Sequence, residues 1–465
     1  MMEVVMDEGG DISGCSSTTT TTIDDDLNHA LADWSPLIVH SPMFSGTNNL
    51  PSLTETIIDK ITPNKEVGVE VEEDNKGLRL LHLLMASAEA LSGPTNKGKS
   101  NDLAKVILAR LKELLVLSSE IRSPTNMESL ALHFTKALES LTYVSISHGN
   151  TAGAGDFLTA FQLLQDMSPY IKFGHFTANQ AIIESVACDR RIHIIDYDIM
   201  EGVQWAALMQ DLVSKNDGLP PPHLRVTALA RAGCKQVINV QETGRRLIAF
   251  ANSIGQPFSF SQCRLDSSDK LCASRIKVVK GEALVVNIMR HLPHSPHRSQ
   301  TSISSIINLV ASLSPRLITV VEEENEEMEK GEGFISRFRQ VLHRYSAVWD
   351  SLEAGFPMQK IARGMVEKVI FGPRIAEDVK MAFERSDGEM EMEKEIGVAE
   401  KLNVAGFRPE KISFFNHCQA RLLVGLFHEG YRVEEKGVNK IVLGWKSRPL
   451  LLASVWSSPV RSLGE

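Results

Sequence analysis

Four groups of residues have types and spacings that chemistry could use. Gly93-Pro94-Thr95-Asn96-Lys97-Gly98-Lys99-Ser100 fits G-x-x-x-x-G-K-[ST], the loop whose backbone N–H groups and lysine cradle nucleotide phosphates. Asp196, Asp198 and Glu201 follow the run Ile192-His193-Ile194-Ile195, where dinucleotide enzymes hold a ribose or a metal ion. His291, His294 and His297 recur at three-residue spacing, a possible metal set. An acidic run, Glu322-Glu323-Glu324 with Glu326, Glu327 and Glu329, could attract a cation or a basic partner. No G-x-S-x-G elbow, H-E-x-x-H helix or Cys–His pairing stands beside them.

Each group has a plainer reading, set by the element that must position it. A phosphate loop has to leave a buried strand so that N–H groups and a helix N-terminus converge on phosphate. Leu83 to Leu91 are instead strong helix formers, so Gly93 to Ser100 reads as a link between two helices. Asp196 could serve as a ligand, or cap the helix that follows it. His193 sits inside an apolar strand and reads as a hydrogen-bonded core histidine. Pro293 and Pro296 prevent a regular helix among the histidines, so their rings need not converge. The glutamates read as a solvated loop. After Asp196 the turn offers one glycine, Gly202, where nucleotide folds use several to bring backbone close to phosphate. Tyr197, Met200 and Glu201 would fill the space of a cofactor's tail, so we expect no cofactor and no catalytic set. The competing reading is an enzyme: an S-adenosylmethionine-dependent methyltransferase, or a P-loop nucleotidase using Gly93 to Ser100.

The elements that carry these residues change character along the chain. Residues 1–76 are tail-like, with a hydroxyl run from Ser16 to Thr22, acids at Asp24 to Asp26 and few apolar residues. We expect a disordered acidic leader, or an activation-type segment near Asp33-Trp34-Ser35-Pro36-Leu37-Ile38. From Gly77 to Asp189 the spacing is helical throughout: Leu80, Leu84, Ala88 and Leu91, then Leu103, Ile107, Leu111, Leu114 and Leu115. That predicts a helical cap. Strands are predicted at Ile192 to Asp196, Leu224 to Ala230, Phe258 to Gln262, Ala283 to Ile288 and Leu317 to Val321. Helices at Val203 to Asp211, Val237 to Ala251 and Ser302 to Leu313 separate most of them, which makes a parallel sheet with crossovers. Residues 333–369 read as helix returning to the cap. Lys440 to Gly444 and Leu450 to Trp456 read as a closing antiparallel hairpin. The fold class is therefore α/β: a Rossmann-like, methyltransferase-like sheet with a helical cap and an acidic leader.

At 465 residues and 43% hydrophobic, the chain can bury a large core. Its net charge of -9 is uneven. Residues 1–77 hold 15 acidic and 3 basic side chains, or -12, which leaves the remainder at +3. A body so nearly neutral lacks the dense basic footprint of an autonomous DNA binder. Six scattered cysteines without a C-x-x-C pair argue against a zinc module and for a reducing compartment. The first ten residues are acidic where a signal peptide is basic and then apolar. No apolar run reaches the roughly 20 residues of a membrane span, so we expect a soluble, intracellular chain.

Several of these segments resemble the plant GRAS family of transcriptional regulators. Ile192-His193-Ile194-Ile195-Asp196 is similar to the family's VHIID motif, and Pro169 to Ile182 to its lead-in. Gly444-Trp445-Lys446-Ser447-Arg448-Pro449-Leu450 and Ser454-Val455-Trp456 resemble its terminal SAW segment. Phe415-Asn416-His417-Cys418-Gln419-Ala420 and Gly437-Val438-Asn439-Lys440 most resemble the branch named for nodulation signalling. The Arg-Glu end of the PFYRE segment is not cleanly matched at 363–367 or 383–386.

The resemblance implies a GRAS domain over 77–465. Its parts would be a first leucine-rich region (77–145), a VHIID segment (160–230), a second leucine-rich region (241–273), a PFYRE-like segment (282–374) and a SAW segment (377–457). It also implies a nuclear co-regulator that pairs with another GRAS protein, or with its own copy, and reaches DNA through that partner. Symbiotic signalling and strigolactone-related gene expression are its implied setting. Neither a small-molecule substrate nor a membrane is implied. Leu80-Leu81-His82-Leu83-Leu84 and Leu111-Lys112-Glu113-Leu114-Leu115 match L-x-x-L-L. Leu80, Leu83, Leu84 and Ala88 thus form a stripe suited to a partner's groove or to the cap's own core.

Overall fold

The computed structural model describes residues 66–92, 97–121, 124–142, 154–215, 220–230, 240–265, 276–290, 300–324, 333–384 and 397–459. Five parallel strands form the heart of the molecule: β1 (Arg191–Asp196), β2 (His223–Ala230), β3 (Phe258–Arg264), β4 (Ala283–Met289) and β5 (Leu317–Glu323). Four of them form where β-branched and apolar runs are long enough to be covered on both faces, whereas β3, Phe-Ser-Phe-Ser-Gln-Cys-Arg, is a half-exposed edge strand. Every residue of β4 and β5 is buried. The antiparallel strands β7 (Tyr431–Glu435), β8 (Lys440–Trp445) and β9 (Arg448–Ser457) complete the order β3-β2-β1-β4-β5-β9-β8-β7, and the two-residue β6 (Arg408–Pro409) pairs with β9. The expected hairpin is thus two strands of a three-strand meander. β7 escapes a periodicity reading because Tyr-Arg-Val-Glu-Glu is an edge strand, mostly half-buried or exposed.

Alternation along the strands splits the core between the two faces of the sheet. Ile192, Ile194 and Val285 join one core with α5 (Tyr170–Ser185), α6 (Val203–Ser214) and α7 (Val240–Ser253). Ile195, Val286 and Ile288 join another with α8 (Gln300–Leu313) and α12 (Val398–Val404). The first core continues into the cap, built from α1 (Glu66–Ser92), α2 (Lys97–Ile121), α3 (Asn126–Thr142) and α4 (Ala154–Met167). The long α9 (Phe334–Gly355) packs back against it. Phe134 of α3 meets Phe338 of α9 edge-on, with ring centroids 5.6 Å apart. α10 (Lys360–Val366) continues through a π-turn, Glu367–Phe371, into α11 (Gly372–Glu384), well past residue 369. α13 (Phe414–Val424) precedes the meander.

Two expectations change, and one competing reading falls. The leader was placed at 1–76, but helix α1 starts at Glu66; residues 1–65 lie outside the described residues. Strand β5 runs two residues beyond Val321, so Glu322 and Glu323 belong to the sheet. The P-loop alternative fails because Leu83 to Leu91 lie inside α1 and Lys97 to Ser100 open α2, so no strand leads into the motif. Residues 93–96 between them lie outside the described residues.

Candidate functional site: a filled crevice under a helical cap

In the strand order β3-β2-β1-β4-β5 the direction of winding reverses between β1 and β4, which is where open α/β sheets bind ligands at the carboxyl ends of their strands. Here that crevice is occupied by the protein's own side chains. Asp196 ends β1, Asn287 stands beside it on β4, and Thr319 stands beside Asn287 on β5. The Trp205 indole, in the first turn of α6, donates to Asp196 Oδ2 at 2.6 Å. The Asp198 backbone N–H and Asn287 Nδ2 donate to Oδ1 at 3.2 and 3.3 Å. Thr319 Oγ1 donates to Asn287 Oδ1 at 2.8 Å, while Asn287 Nδ2 also donates to Gln204 Oε1 at 3.1 Å. Gln204 Nε2 donates to Asn179 Oδ1 at 3.2 Å, and Asn179 Nδ2 to the Gln204 carbonyl at 2.9 Å, which ties α5 to α6. All seven residues are buried. A polar network so placed locks strands and helices together.

The turn that delivers these groups depends on one glycine. Gly202 has φ +80°, and a Cβ there would lie 2.8 Å from Thr243 Cγ2 of α7. It therefore serves close packing of turn against helix, and Thr243 Oγ1 donates to the Met200 carbonyl at 2.9 Å. Tyr197 and Glu201 are buried in the same turn. Burial pushes the Asp196 carboxyl up to about 7, against the opposing pull of the Trp205, Asp198 and Asn287 hydrogen bonds. Burial also lifts Glu201 to about 8, with the Asp198 charge adding to the rise.

His193 is a core histidine, with Nε2 2.8 Å from Thr227 Oγ1 and Nδ1 2.9 Å from Arg225. Burial, helped by Arg225, lowers it to about 4. Burial lowers His133 and His175 to about 4 as well. The two raised carboxyls contribute stability in full below about pH 4 and lose it as pH rises through 7 and 8. The histidines contribute above their ordinary 6.5 and lose it as pH falls toward 4. Between pH 7 and 8 the carboxyl effect dominates. We therefore expect the unfolding free energy, read from the urea midpoint, to fall over that window by on the order of 1 kcal/mol. Glu201→Gln and Asp196→Asn should flatten the slope; a wild-type midpoint constant from pH 6.5 to 8.5 would contradict this.

The described part of the acidic run, Glu322 to Glu324, is not a solvated loop. Glu322 Oε2 and Oε1 accept the backbone N–H groups of Val398 and Ala399, at 3.0 and 3.1 Å, at the start of α12. Arg290 lies 3.7 Å from Glu322. Glu323 pairs with Arg344 of α9 at 3.1 Å, and Glu324 with Lys436. Glu322 and Glu323 thus join the sheet to helices from elsewhere in the chain, which a local charge count could not register. Glu326, Glu327, Glu329, His291, His294 and His297 lie outside the described residues. Among the described residues no three His, Cys, Asp or Glu side chains converge as a metal site, and no helix is long and apolar enough to cross a membrane.

The stripe expected to meet a partner needs correcting. Leu80, Leu84 and Ala88 have no exposed surface and pack in the cap's own core, and Leu83 is half-buried against it. The apolar face of α1 is covered by α2, α3 and α9, leaving exposed Leu78 on α1, and Leu103 and Val106 on α2. In the motif segments, Ile192, Ile194 and Ile195 are core strand residues. Trp445 donates to Asp350 of α9 at 2.7 Å and stacks edge-on with Tyr431 at 4.8 Å. Trp456 donates to Ser454 Oγ at 3.0 Å. The sequence reading missed the roles of Trp205, Asn179 and Asn287; the available signal was one asparagine in the otherwise apolar run Ala-Leu-Val-Val-Asn-Ile-Met.

Comparison with known proteins gives a consistent set of relatives. The GRAS domain family matches residues 80–457. Protein NODULATION SIGNALING PATHWAY 2 of Medicago truncatula is 48% identical, over 96% of this chain and 96% of its own. Scarecrow-like protein 26 of Arabidopsis thaliana is also 48% identical, over 83% of this chain and 79% of its own. Among solved structures, SCL7 of Oryza sativa is 28% identical, with a TM-score of 0.61, covering 81% of this chain and 99% of that one.

Proposed function

We propose, from the premise that this chain belongs to the GRAS domain family, that it is a plant transcriptional co-regulator of the nodulation-signalling type. On this reading it acts in the nucleus, pairs with a second GRAS protein or with its own copy, and reaches DNA through that partner. Its setting is symbiotic signalling and strigolactone-related gene expression. The observation that carries the reading is the end-to-end match to Protein NODULATION SIGNALING PATHWAY 2, with 96% of both chains aligned. The near-neutral balance of the body supports indirect contact with DNA. The test is complementation: expression in Medicago truncatula roots lacking that relative should restore nodulation, and failure of a stably accumulated nuclear protein to do so would refute the symbiotic reading.

The pairing surface we assign to the exposed side of the cap, where Leu103 and Val106 lie one turn apart on α2 at 55% and 67% exposure. Val106→Glu should abolish co-purification with a GRAS partner and leave the melting curve unchanged, because its carboxylate becomes unpaired only in the contact. Leu84→Glu should instead melt the cap, since it puts that charge in the core. Retained pairing in a folded Val106→Glu protein would move the interface elsewhere.

The alternative reading, a Rossmann-fold enzyme, is opposed by the Trp205–Asp196–Asn287 network that occupies the crevice. Neither S-adenosylmethionine nor ATP should raise the melting temperature. A ligand at a hundred times its dissociation constant stabilises by about 2.7 kcal/mol, so a real site would be visible.

A further inference from the structure

We propose that the amino-terminal rim of the parallel sheet is a docking surface for the acidic leader of this same chain, residues 1–59. The rim lies opposite the filled crevice and gathers exposed cations from separate stretches of sequence. Arg190 and Arg191 lead into β1, and Arg191 is in register with the exposed His223 at the start of β2. The His223 N–H donates to the Arg190 carbonyl at 2.9 Å, which fixes the two strand starts side by side. Lys277 and Lys280 belong to the segment entering β4, whose Ala283 is in register with Ile192. That segment is held to β2 by Arg225, which donates to the Lys277 carbonyl at 2.7 Å.

Two carboxylates beside this rim are already engaged: Glu282 pairs with Arg225, and Asp189 with Arg316. Among the described residues, none is left in an ion pair with Arg190, Arg191, Lys277 or Lys280, all of which are exposed. The complementary segment is in the same chain. Residues 1–59 carry ten carboxylates and no lysine or arginine. Reach is no obstacle, since about 3.3 Å per residue gives a 65-residue lead of roughly 200 Å, several times the width of a domain this size. Each exposed charge pair is weak and screened by salt. Tethering raises the leader's effective concentration to the millimolar range, ahead of a free polyanion such as nucleic acid.

The test uses the full chain and a carbodiimide, which couples carboxylates directly to nearby amines. Cross-linked peptides should join Asp24, Asp25 or Asp26 to Lys277 or Lys280 in preference to the exposed Lys360 and Lys380. In a mixture of 15N-labelled and unlabelled protein, each linked pair should carry a single label. Yield should drop about fivefold in 1 M salt, where the Debye length is about 3 Å. It should drop similarly in the Arg190→Glu/Arg191→Glu variant, which keeps both lysines. If that variant melts early, Arg190→Gln/Arg191→Gln replaces it. Linkage no denser at the rim than at Lys360 and Lys380 overturns the proposal, and so do pairs of mixed label, which would indicate a second copy. Charge reversal that abolishes nucleic-acid retention while leaving the cross-links intact also overturns it, assigning the rim to a phosphate backbone.

Discussion

Trp205→Ala is expected to lower the unfolding free energy by about 3–5 kcal/mol, read as a shift of the urea midpoint at pH 7. The side chain has no exposed surface and lies in the first turn of α6, where it joins the core shared with the sheet. Truncation removes the packing of a large ring and leaves a cavity that only partly collapses. It also takes away the donor 2.6 Å from Asp196 Oδ2, leaving a buried carboxyl with two weaker partners. Trp205→Phe separates the two effects: it keeps most of the ring volume and loses only the N–H, so its cost should be the smaller. In both variants Asp196 should hold its proton to higher pH, because a hydrogen bond that favoured the ionised form is gone. A midpoint unchanged in Trp205→Ala would mean that the network does not hold α6 on the sheet.

Arg344→Ala should cost about as much, roughly 3–5 kcal/mol at neutral pH, for a different reason. Arg344 of α9 reaches Glu323 of β5 at 3.1 Å and Asp378 of α11 at 2.6 Å, so one guanidinium joins the sheet to two helices. Tyr345 donates to the same Asp378 oxygen at 2.7 Å, and Arg374 lies 3.7 Å from its other oxygen. Burial raises the Glu323 carboxyl, and Arg344 and Arg374 oppose that rise. Without Arg344 two carboxylates remain buried together, with Arg374 beside Asp378 and the more distant Arg290 acting on Glu323 as weaker compensation. The raised Glu323 carboxyl then climbs further, so the penalty is present at pH 7 to 8 and is relieved as pH falls and it takes up a proton. The variant should regain part of its lost stability between pH 7 and 5, and Glu323→Gln in the same chain should restore part of it at pH 7. A loss below 1 kcal/mol, or one independent of pH, would count against this account.

The elements that were legible in the sequence are those whose burial is periodic. β1, β2, β4 and β5 coincide closely with the apolar runs that predict them, because a strand covered on both faces must be apolar along its length. α9 was legible for the complementary reason, a stripe at helical spacing with buried Phe338, Leu342, Tyr345 and Trp349. The short or half-exposed elements β6, β7, α12 and α13 carry no such signal. Their places are set by contacts with distant segments, as when Glu322 accepts the first N–H groups of α12.

Leu80, Leu84 and Ala88 show where local reasoning stops. Their spacing predicts an apolar stripe, and the stripe is real. Spacing cannot say whether the surface that covers it is the chain's own α2, α3 and α9 or another protein, because both remove the same area from water. Glu322 and Glu323 make the same point for charge. An acidic run solvated in isolation becomes buried once Arg290, Arg344 and a helix N-terminus are folded against it.

By itself the sequence determined the class of fold, the helical lead into Gly93 and the lack of a glycine-rich turn after Asp196. All three depend on local backbone preference and periodic burial. Only the tertiary structure decided that Trp205 and Asn287 close the crevice, that the leucine stripe faces inward and that cations from two strand starts share one rim. Those outcomes depend on which distant side chains meet, and strand register and helix docking bring them together.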